Sequence, residues 1–546
     1  MVTPRRSARS GRRGSLVQSG DAAAVVSSAA PFLVAAAALV LIGNTLLPGL
    51  AFWDTGEFQT VGPVLGTAHP TGFPSYVILG WAASLLLTPA GEAAFRMNLL
   101  SALLVATAAG LTVVLIRKLT RSTLLGVAGG FGLAATPIVW GIGRHADPHA
   151  LHLALVALLL VLLVGWEHAR GDDRGEDRGA DAAHRADRWL VAAAFVFGIS
   201  LANHSLTLLL IPPVGLYVLA VDPGIWRRAR LVTTCALVLV ATTAAIYLEL
   251  PLRAGPFRAP LVYSTPNTWD GFTYIVLAEQ FRGSIVDPLG DLAGKLRALV
   301  DLTVVQFGPL AALIPVGFLA TIVRRPRYAL LSGLAALSTC FFAASYHNAD
   351  IGRYYLGPAL IAWTWLAILA ATAIDQVALL FGAPAADDEA AGIEPGRRTS
   401  AVRVAAAVVA AVVLVLPTGA MLRPRATLLD ESRNTAARTW VDSALAAMEP
   451  DAVVVTWWNY STPLWYAQRV EGRRPDISIV DDRTRLDLNL GEVSDVIELH
   501  LGRQPVYLVR SDEDELRTLR SRYRLESVTP NAANLLLVAG RVTATP

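Results

Sequence analysis

The sequence predicts a polytopic α-helical membrane protein of about eleven spans with a small α/β domain behind the last of them. Three observations predict it. Of 546 residues, 54% are hydrophobic and only 16% charged, where a soluble chain carries about a quarter charged. Long apolar runs recur, such as "FLVAAAALVLIGNTLL", "LHLALVALLLVLLVGW" and "AVRVAAAVVAAVVLVLP", and a helix needs roughly 20 mostly apolar residues to cross a bilayer. Arginines cluster between the runs, in "PRRSARSGRR", "RKLTR" at 117–121, "RRAR" at 227–230, "RRPR" at 324–327 and "GRR" at 396–398. Such clusters mark cytoplasmic loops by the positive-inside rule.

With the N-terminus cytoplasmic, span one covers about 30–50 and reads as a span rather than a signal peptide, being long for one. It delivers "FWDTGEFQTVGPVLGTAHPTGFPSY" (52–76) to the outer face. Residues 75–88 are too short to cross and read as an interfacial or re-entrant helix. Spans follow at 93–116, 122–141 and 149–166. Residues 189–221 read as two short helices turning at Asn203-His204-Ser205, because a single helix would put "RRAR" outside. Further spans fall at 231–250, 303–323, 328–345, 355–381 and 402–420. Cys235 and Cys340 lie inside apolar runs and read as inert thiols. The domains expected are a cytoplasmic basic N-terminus (1–29), a membrane domain (30–420) with outer loops 51–92, 142–148, 251–302 and 346–354, and an extracytoplasmic tail (421–546). In the tail "DAVVVTWW", "DISIVDD", "PVYLVR" and "NLLLVAGRV" read as strands between helices, which predicts a largely parallel sheet.

This threading gathers the unusual polar residues on one face: Asp54, Glu57, His69, Arg144, His145, Asp147, His149, His204, Arg253, Glu279, Arg282, His347, Asp350 and Arg353. Charges near membrane depth are costly and tend to mark sites. Arginine and histidine can hold a phosphate, and a carboxylate can take the proton of an incoming hydroxyl, so an anionic lipid-linked substrate would satisfy them all. "HADPHALH" also contains residue types that bind a divalent metal, although Pro148 disturbs the helical spacing. No basic face coexists with an aromatic platform, which argues against a nucleic-acid partner. A transporter or flippase of an anionic or lipid-linked substrate is the alternative, kept open by Asn203-His204-Ser205; it would place polar residues near the bilayer midplane.

The stretch "WDTGEFQTVGPVLGTAHPTGFPSY" resembles the first-loop motif, D-[ST]-G-E-[FL] then H-P-x-G-[FY]-P, of GT-C-type membrane glycosyltransferases related to the protein O-mannosyltransferases. The resemblance recurs in "ANHSLTLLLIPP", "YHNADIGRYYLGP" and "TPLWYAQRVEGRRPDISIVDD". It implies transfer of a mannose-like sugar from a polyprenyl-phosphate donor to a hydroxyl on a protein or glycan, by inversion, at the outer face of a bacterial cell membrane. It maps the first-loop acid to Asp54, with Glu57 beside it, and a second acid to Asp147. Asp54 and Glu57 are expected to be catalytic, and His69, Arg144, Asp147, His204, Arg282, His347 and Arg353 to bind substrate, Arg282 and Arg353 holding the donor phosphate. No resident cofactor is expected beyond a possible divalent metal. The tail reads "WWNYSTPLWY" where the family suggests a more acidic stretch, so no catalytic part is expected of it.

Overall fold

The computed structural model describes residues 13–172, 180–348, 350–382 and 397–542. The N-terminal arginine cluster (4–12) and residues 173–179 of the loop after span four lie outside the described residues. α1 (Arg13–Gly43) is followed by two short helices at one end of a bundle, α2 (Trp53–Val64) and α3 (Pro74–Leu86). The 13 residues of α3 reach only about 20 Å, and Trp81, Leu85 and Leu86 on it are exposed. It does not cross.

α4 (Ala93–Thr120) is the central pillar. It buries a run of small side chains, Ala102, Ala106, Ala109 and Gly110, against its neighbours. A Cβ at Gly110 would come within 2.8 Å of the Pro31 carbonyl of α1. Small residues let membrane helices approach this closely. The next span is broken: α5 (Thr123–Ala134) and α6 (Pro137–Gly143) meet at 66°, because Pro137 disfavours helical geometry at Thr136 before it. α7 (Pro148–Asp172) and α8 (Ala180–Leu201) follow. The chain then turns at 202–204 and continues through a 3₁₀ segment, Ser205–Leu210, into α9 (Ile211–Val221), so 189–221 is two elements.

The remaining bundle comprises α10 (Ala229–Tyr247), α11 (Glu249–Ala254), α12 (Trp269–Val276), α13 (Leu292–Phe307), α14 (Ile314–Arg324), α15 (Pro326–Ala344), α16 (Leu356–Leu380) and α17 (Arg397–Ala420). The span expected from residue 303 begins at Leu292 and runs to Arg324, with a break at Gly308. The charges in "LAGKLRALVDL" hide its first turns from an apolar window. Among the described residues seven helices are long and apolar enough to cross a membrane, or eight if α5 and α6 form one span. The other three expected spans correspond to α1, α8 and the short apolar stretch 205–221.

Three of the arginine clusters lie at one end of the bundle. Arg325 donates to the Leu119 carbonyl at 3.1 Å, Arg324 and Arg403 flank Asp375, and Arg170 and Arg228 converge on Asp222. The C-terminal domain sits at the opposite end. It contains α18 (Leu422–Leu429), α19 (Ala436–Ala447), β1 (Val453–Val455), α20 (Trp458–Arg469), β2 (Ser478–Val480), α21 (Asp482–Asp487), α22 (Val493–His500), β3 (Val506–Val509), α23 (Glu513–Arg520), β4 (Tyr523–Ser527) and β5 (Leu535–Arg541). The sheet order is β2-β1-β3-β5-β4. β1 lies parallel to β2 and β3, with Val454 opposite Ile479 and Tyr507, whereas β5 is antiparallel to β3 and β4. The sheet is thus half parallel rather than largely so. The unforeseen strand is β4, whose "YRLES" carries too much charge to read as a strand and which forms a sheet edge, where charge is tolerated.

This domain is not tethered loosely. Leu50, Ala93 and Ala94 of the bundle share one core with Trp440, Val441, Leu464 and Tyr466. The Ala94 amide donates to the Tyr466 hydroxyl at 3.0 Å, and Arg438 bridges Glu92 (2.9 Å) and Glu471 (2.7 Å).

Candidate active site

Two acidic loops are hung from one side chain. Asn98, buried in the second turn of α4, donates to the carbonyls of Leu47 (2.9 Å) and Gly49 (3.0 Å). Its oxygen accepts from Gln59 of α2 (2.8 Å) and from the Ala146 amide (2.9 Å). Gln59 in turn donates to Gly49 O and accepts from the Ala51 amide, each at 2.9 Å. Ser101, one turn along α4, accepts from the Asp147 amide at 3.1 Å. The segment entering α2 and the loop carrying Asp147 therefore share a rigid reference.

At its far end α2 finishes on Leu65 in the left-handed region, and Arg253 donates to the carbonyls of Val64 (3.2 Å) and Leu65 (2.7 Å). A cation there complements the helix dipole and the orphan carbonyls. Glu57, three residues after Asp54, is buried and does not line that residue's cavity. Its carboxylate accepts from the His69 amide (2.8 Å) and pairs with His69 Nδ1. Burial disfavours a charged His69, but Glu57 and Asp54 outweigh it and raise its pKa.

Asp54 lies in the first turn of α2, on the wall of a cavity of about 450 Å³. Its Oδ1 accepts from the indole Nε1 of Trp458 at 2.9 Å, and its Oδ2 from Arg353 at 3.2 Å. Arg353 also reaches Asp147 and Asp350, each at 3.4 Å. Burial would raise the Asp54 pKa, yet His69, Arg353 and the Trp458 donor together hold it below the ordinary value. Asp147 is buried, which works against its charge; His149 at 2.8 Å and Arg353 hold it well below the carboxylate range all the same. Both acids are carboxylates at neutral pH, and one guanidinium joins them.

The cavity is otherwise aromatic and polar, with His69, His149, His204, Tyr263, Tyr346, Tyr354 and Trp458 on its walls. His204 sits at the turn after α8; burial lowers its pKa well below normal, and its Nδ1 accepts from the Leu206 amide at 3.0 Å. The ring is therefore neutral, with its proton on Nε2. It lies 4.6 Å from the His149 ring, centroid to centroid.

Of the residues singled out in the sequence, Asp54, His69, His149, His204, Arg282, Asp350 and Arg353 line the cavity. Glu57 stands behind His69, and Asp147 reaches the site through Arg353. Arg282 is 61% exposed and paired with Glu279 at 3.2 Å. Arg144 turns elsewhere, to the Leu429 carbonyl (2.8 Å) and Glu431 (3.2 Å). His347 is exposed, and its amide donates to Ser284 O at 2.8 Å. "HADPHALH" directs Asp147 to His149 and Arg353, and among the described residues no group of three or more His, Cys, Asp or Glu side chains is disposed to hold a metal ion.

The tail, although it carries no acidic motif, reaches the cavity. Trp458 binds Asp54 directly, and Arg483 stacks on Tyr263 of the cavity wall. Asn98, Gln59 and Trp458 belong to the site although the sequence reading does not single them out. The aromatic run "WWNY" is the one available signal for the last, and nothing in the sequence distinguishes Asn98 from an ordinary polar residue near a helix start.

Residues 54–223, beginning at Asp54, match the family described as the Protein O-mannosyl-transferase TMEM260 N-terminal domain. Over 267 residues the chain is 29% identical to Protein O-mannosyl-transferase TMEM260 of Mus musculus, covering 47% of this chain and 35% of that protein. Over 278 residues it is 20% identical to the Dictyostelium discoideum protein of the same name, covering 49% and 33%. The chain thus matches about a third of the length of these relatives. Among solved structures, ArnT from Cupriavidus metallidurans bound to undecaprenyl phosphate superposes with a TM-score of 0.58 at 16% identity, over 93% of this chain and 97% of that one. The oligosaccharyltransferase AglB from Archaeoglobus fulgidus, in complex with an inhibitory peptide and a dolichol-phosphate, gives 0.51 at 16% identity, over 82% and 64%. The chain is a polytopic helical membrane protein that shares the fold of these solved enzymes, and its residues 54–223 are similar to the O-mannosyl-transferase N-terminal domain.

Proposed function

We propose that the protein is an inverting glycosyltransferase that moves a mannose-like sugar from a polyprenyl-phosphate donor to a hydroxyl acceptor, with protein Ser or Thr as the acceptor class. The observation that carries this is the Asp54 carboxylate, held between Arg353 and Trp458 on a cavity wall that also presents Arg282 and His204. The relatives' names support the sugar and the acceptor. The lipid phosphates in the neighbouring structures support the donor.

In the proposed step the acceptor oxygen attacks the anomeric carbon while its proton passes to Asp54. The bond from that carbon to the phosphate oxygen breaks, and polyprenyl phosphate leaves already anionic. One displacement inverts the centre, so no second carboxylate is needed as nucleophile. Arg353 and Arg282 receive the phosphate charge. Asp350, 74% exposed, is the carboxylate that yields its place on Arg353, while buried Asp147 keeps the guanidinium fixed. His347 stands close by at the rim. The arginine-rich end of the bundle then faces the cytoplasm, and the site, the loops around it and the C-terminal domain from about residue 421 face outward, in a bacterial cell membrane.

Purified protein supplied with polyprenyl-phosphate mannose and a Ser/Thr-rich peptide should form mannosyl peptide. Asp54→Asn keeps the shape but removes the base, and should slow transfer by roughly 10²–10⁴ while donor binding persists. Normal turnover in Asp54→Asn would place the base elsewhere.

A further inference from the structure

Trp458 lies 404 residues from Asp54 in the chain, yet its indole donor meets Asp54 Oδ1 at 2.9 Å. The other carboxylate oxygen is taken by Arg353. A carboxylate held by one donor can pivot about its Cβ–Cγ bond, whereas one held on both oxygens has a single plane and presents its free lone pairs in fixed directions. The two donors come from different parts of the molecule: Arg353 precedes α16 in the membrane bundle, and Trp458 opens α20 in the C-terminal domain.

The register of that second donor is built in. α2 and α20 touch at Gly56, where a Cβ would come within 2.5 Å of Ala51 O and 2.8 Å of Thr462 Oγ1. Phe52, just before α2, packs edge-on against Trp440 and Tyr460, with centroids at 6.3 and 5.2 Å. The Trp458 ring is wedged edge-on among His69, Tyr263 and Trp465 at 5.9, 6.1 and 5.6 Å. An indole so confined cannot swing away from Asp54 without moving the whole of α20.

We infer that Trp458 is a positioning residue for Asp54, so that the C-terminal domain supplies half of the carboxylate's orientation and the bundle alone holds an incomplete site. This rests on the transferase reading for its kinetic consequence but not for its structural one. Trp458→Phe keeps an aromatic ring at the position and removes the N–H donor together with the packing of the second ring, a packing loss common to both backgrounds compared below. In the transfer assay kcat should fall about tenfold to a hundredfold, the size expected when a hydrogen bond to a charged group is lost, with KM for the donor unchanged. The donor favours the charged form of Asp54, so its removal raises the Asp54 pKa and the acid limb of the kcat profile should move to higher pH. A merely structural tryptophan would leave that limb in place.

A second measurement needs no activity. The loss of thermal stability caused by Trp458→Phe should be clearly smaller in an Asp54→Ala background than in the wild-type protein, because the bond is already gone. Equal losses in both backgrounds would overturn the inference, as would an unmoved acid limb. If instead the stability coupling is present but no substrate is turned over, the positioning stands and the proposed reaction fails.

Discussion

Replacing Asn98 by leucine should loosen the site from beneath. Asn98 makes four hydrogen bonds, two donated to Leu47 O and Gly49 O and two accepted from Gln59 and the Ala146 amide. Each is worth about 1 kcal/mol net, and the buried partners left unpaired raise the cost, so the loss is about 4–6 kcal/mol. Gln59→Leu removes three bonds, one of them shared with Asn98, for about 3 kcal/mol. The double variant loses six distinct bonds rather than seven. Its destabilisation should therefore fall short of the sum of the two singles by about 1 kcal/mol. Unfolding of the detergent-solubilised protein, followed for wild type, both singles and the double, measures all four corners. Strict additivity, or an Asn98→Leu protein with wild-type stability, would refute the claim that this side chain ties α2 and the Asp147 loop to α4.

Other expectations follow from the same geometry. Gly56→Ala should push α2 away from α20, given an approach of 2.8 Å from the new Cβ to Thr462 Oγ1, and strain the turn into α2 through the 2.5 Å approach to Ala51 O, reducing turnover with donor binding largely kept; turnover at the wild-type level would show that the contact is not needed. Arg353→Lys should impair transfer severely, because an ammonium cannot span Asp54 and Asp147 as the planar guanidinium does; a kinetic assay with near-normal kcat would contradict this. His69 has a folded pKa raised above its unfolded value, so its contribution to stability is fully present below about pH 6.5 and is lost as pH rises through the folded value. Unfolding midpoints measured across pH should show that loss in wild type and a flatter dependence in His69→Gln.

The apolar helices and the gathering of arginines at one end of the bundle are legible in the sequence because hydropathy and arginine placement are properties of single segments. Asp54, Glu57 and His69 stand out for the same reason, as charge and sharp backbone turns set directly against an apolar run. What cannot be read is partnership. Glu57 and Asp54 look equivalent in sequence, and only the fold shows one turned to His69 and the other to the cavity. Arg144, Arg282 and Arg353 are likewise three outer-loop arginines, yet one ties down Glu431, one pairs with Glu279 near solvent, and one bridges buried Asp147 to Asp54 on the cavity wall. A tail without an acidic motif gives no reason to look for Trp458, whose part is to donate a hydrogen bond to an acid held elsewhere. Such assignments depend on distances between segments hundreds of residues apart, which no local pattern encodes.

The shared core of Leu50, Ala93 and Ala94 with Trp440 and Leu464 also sets an order of events during biosynthesis. The first helices enter the bilayer while the ribosome has yet to make the segment that covers their ends. Until residues 436–470 emerge and dock, Leu50 and Ala94 lack their apolar cover and Asp54 lacks its indole partner. A nascent chain can thus occupy the membrane with its Asp54 pocket unfinished, and emergence of the C-terminal domain becomes the step that completes it.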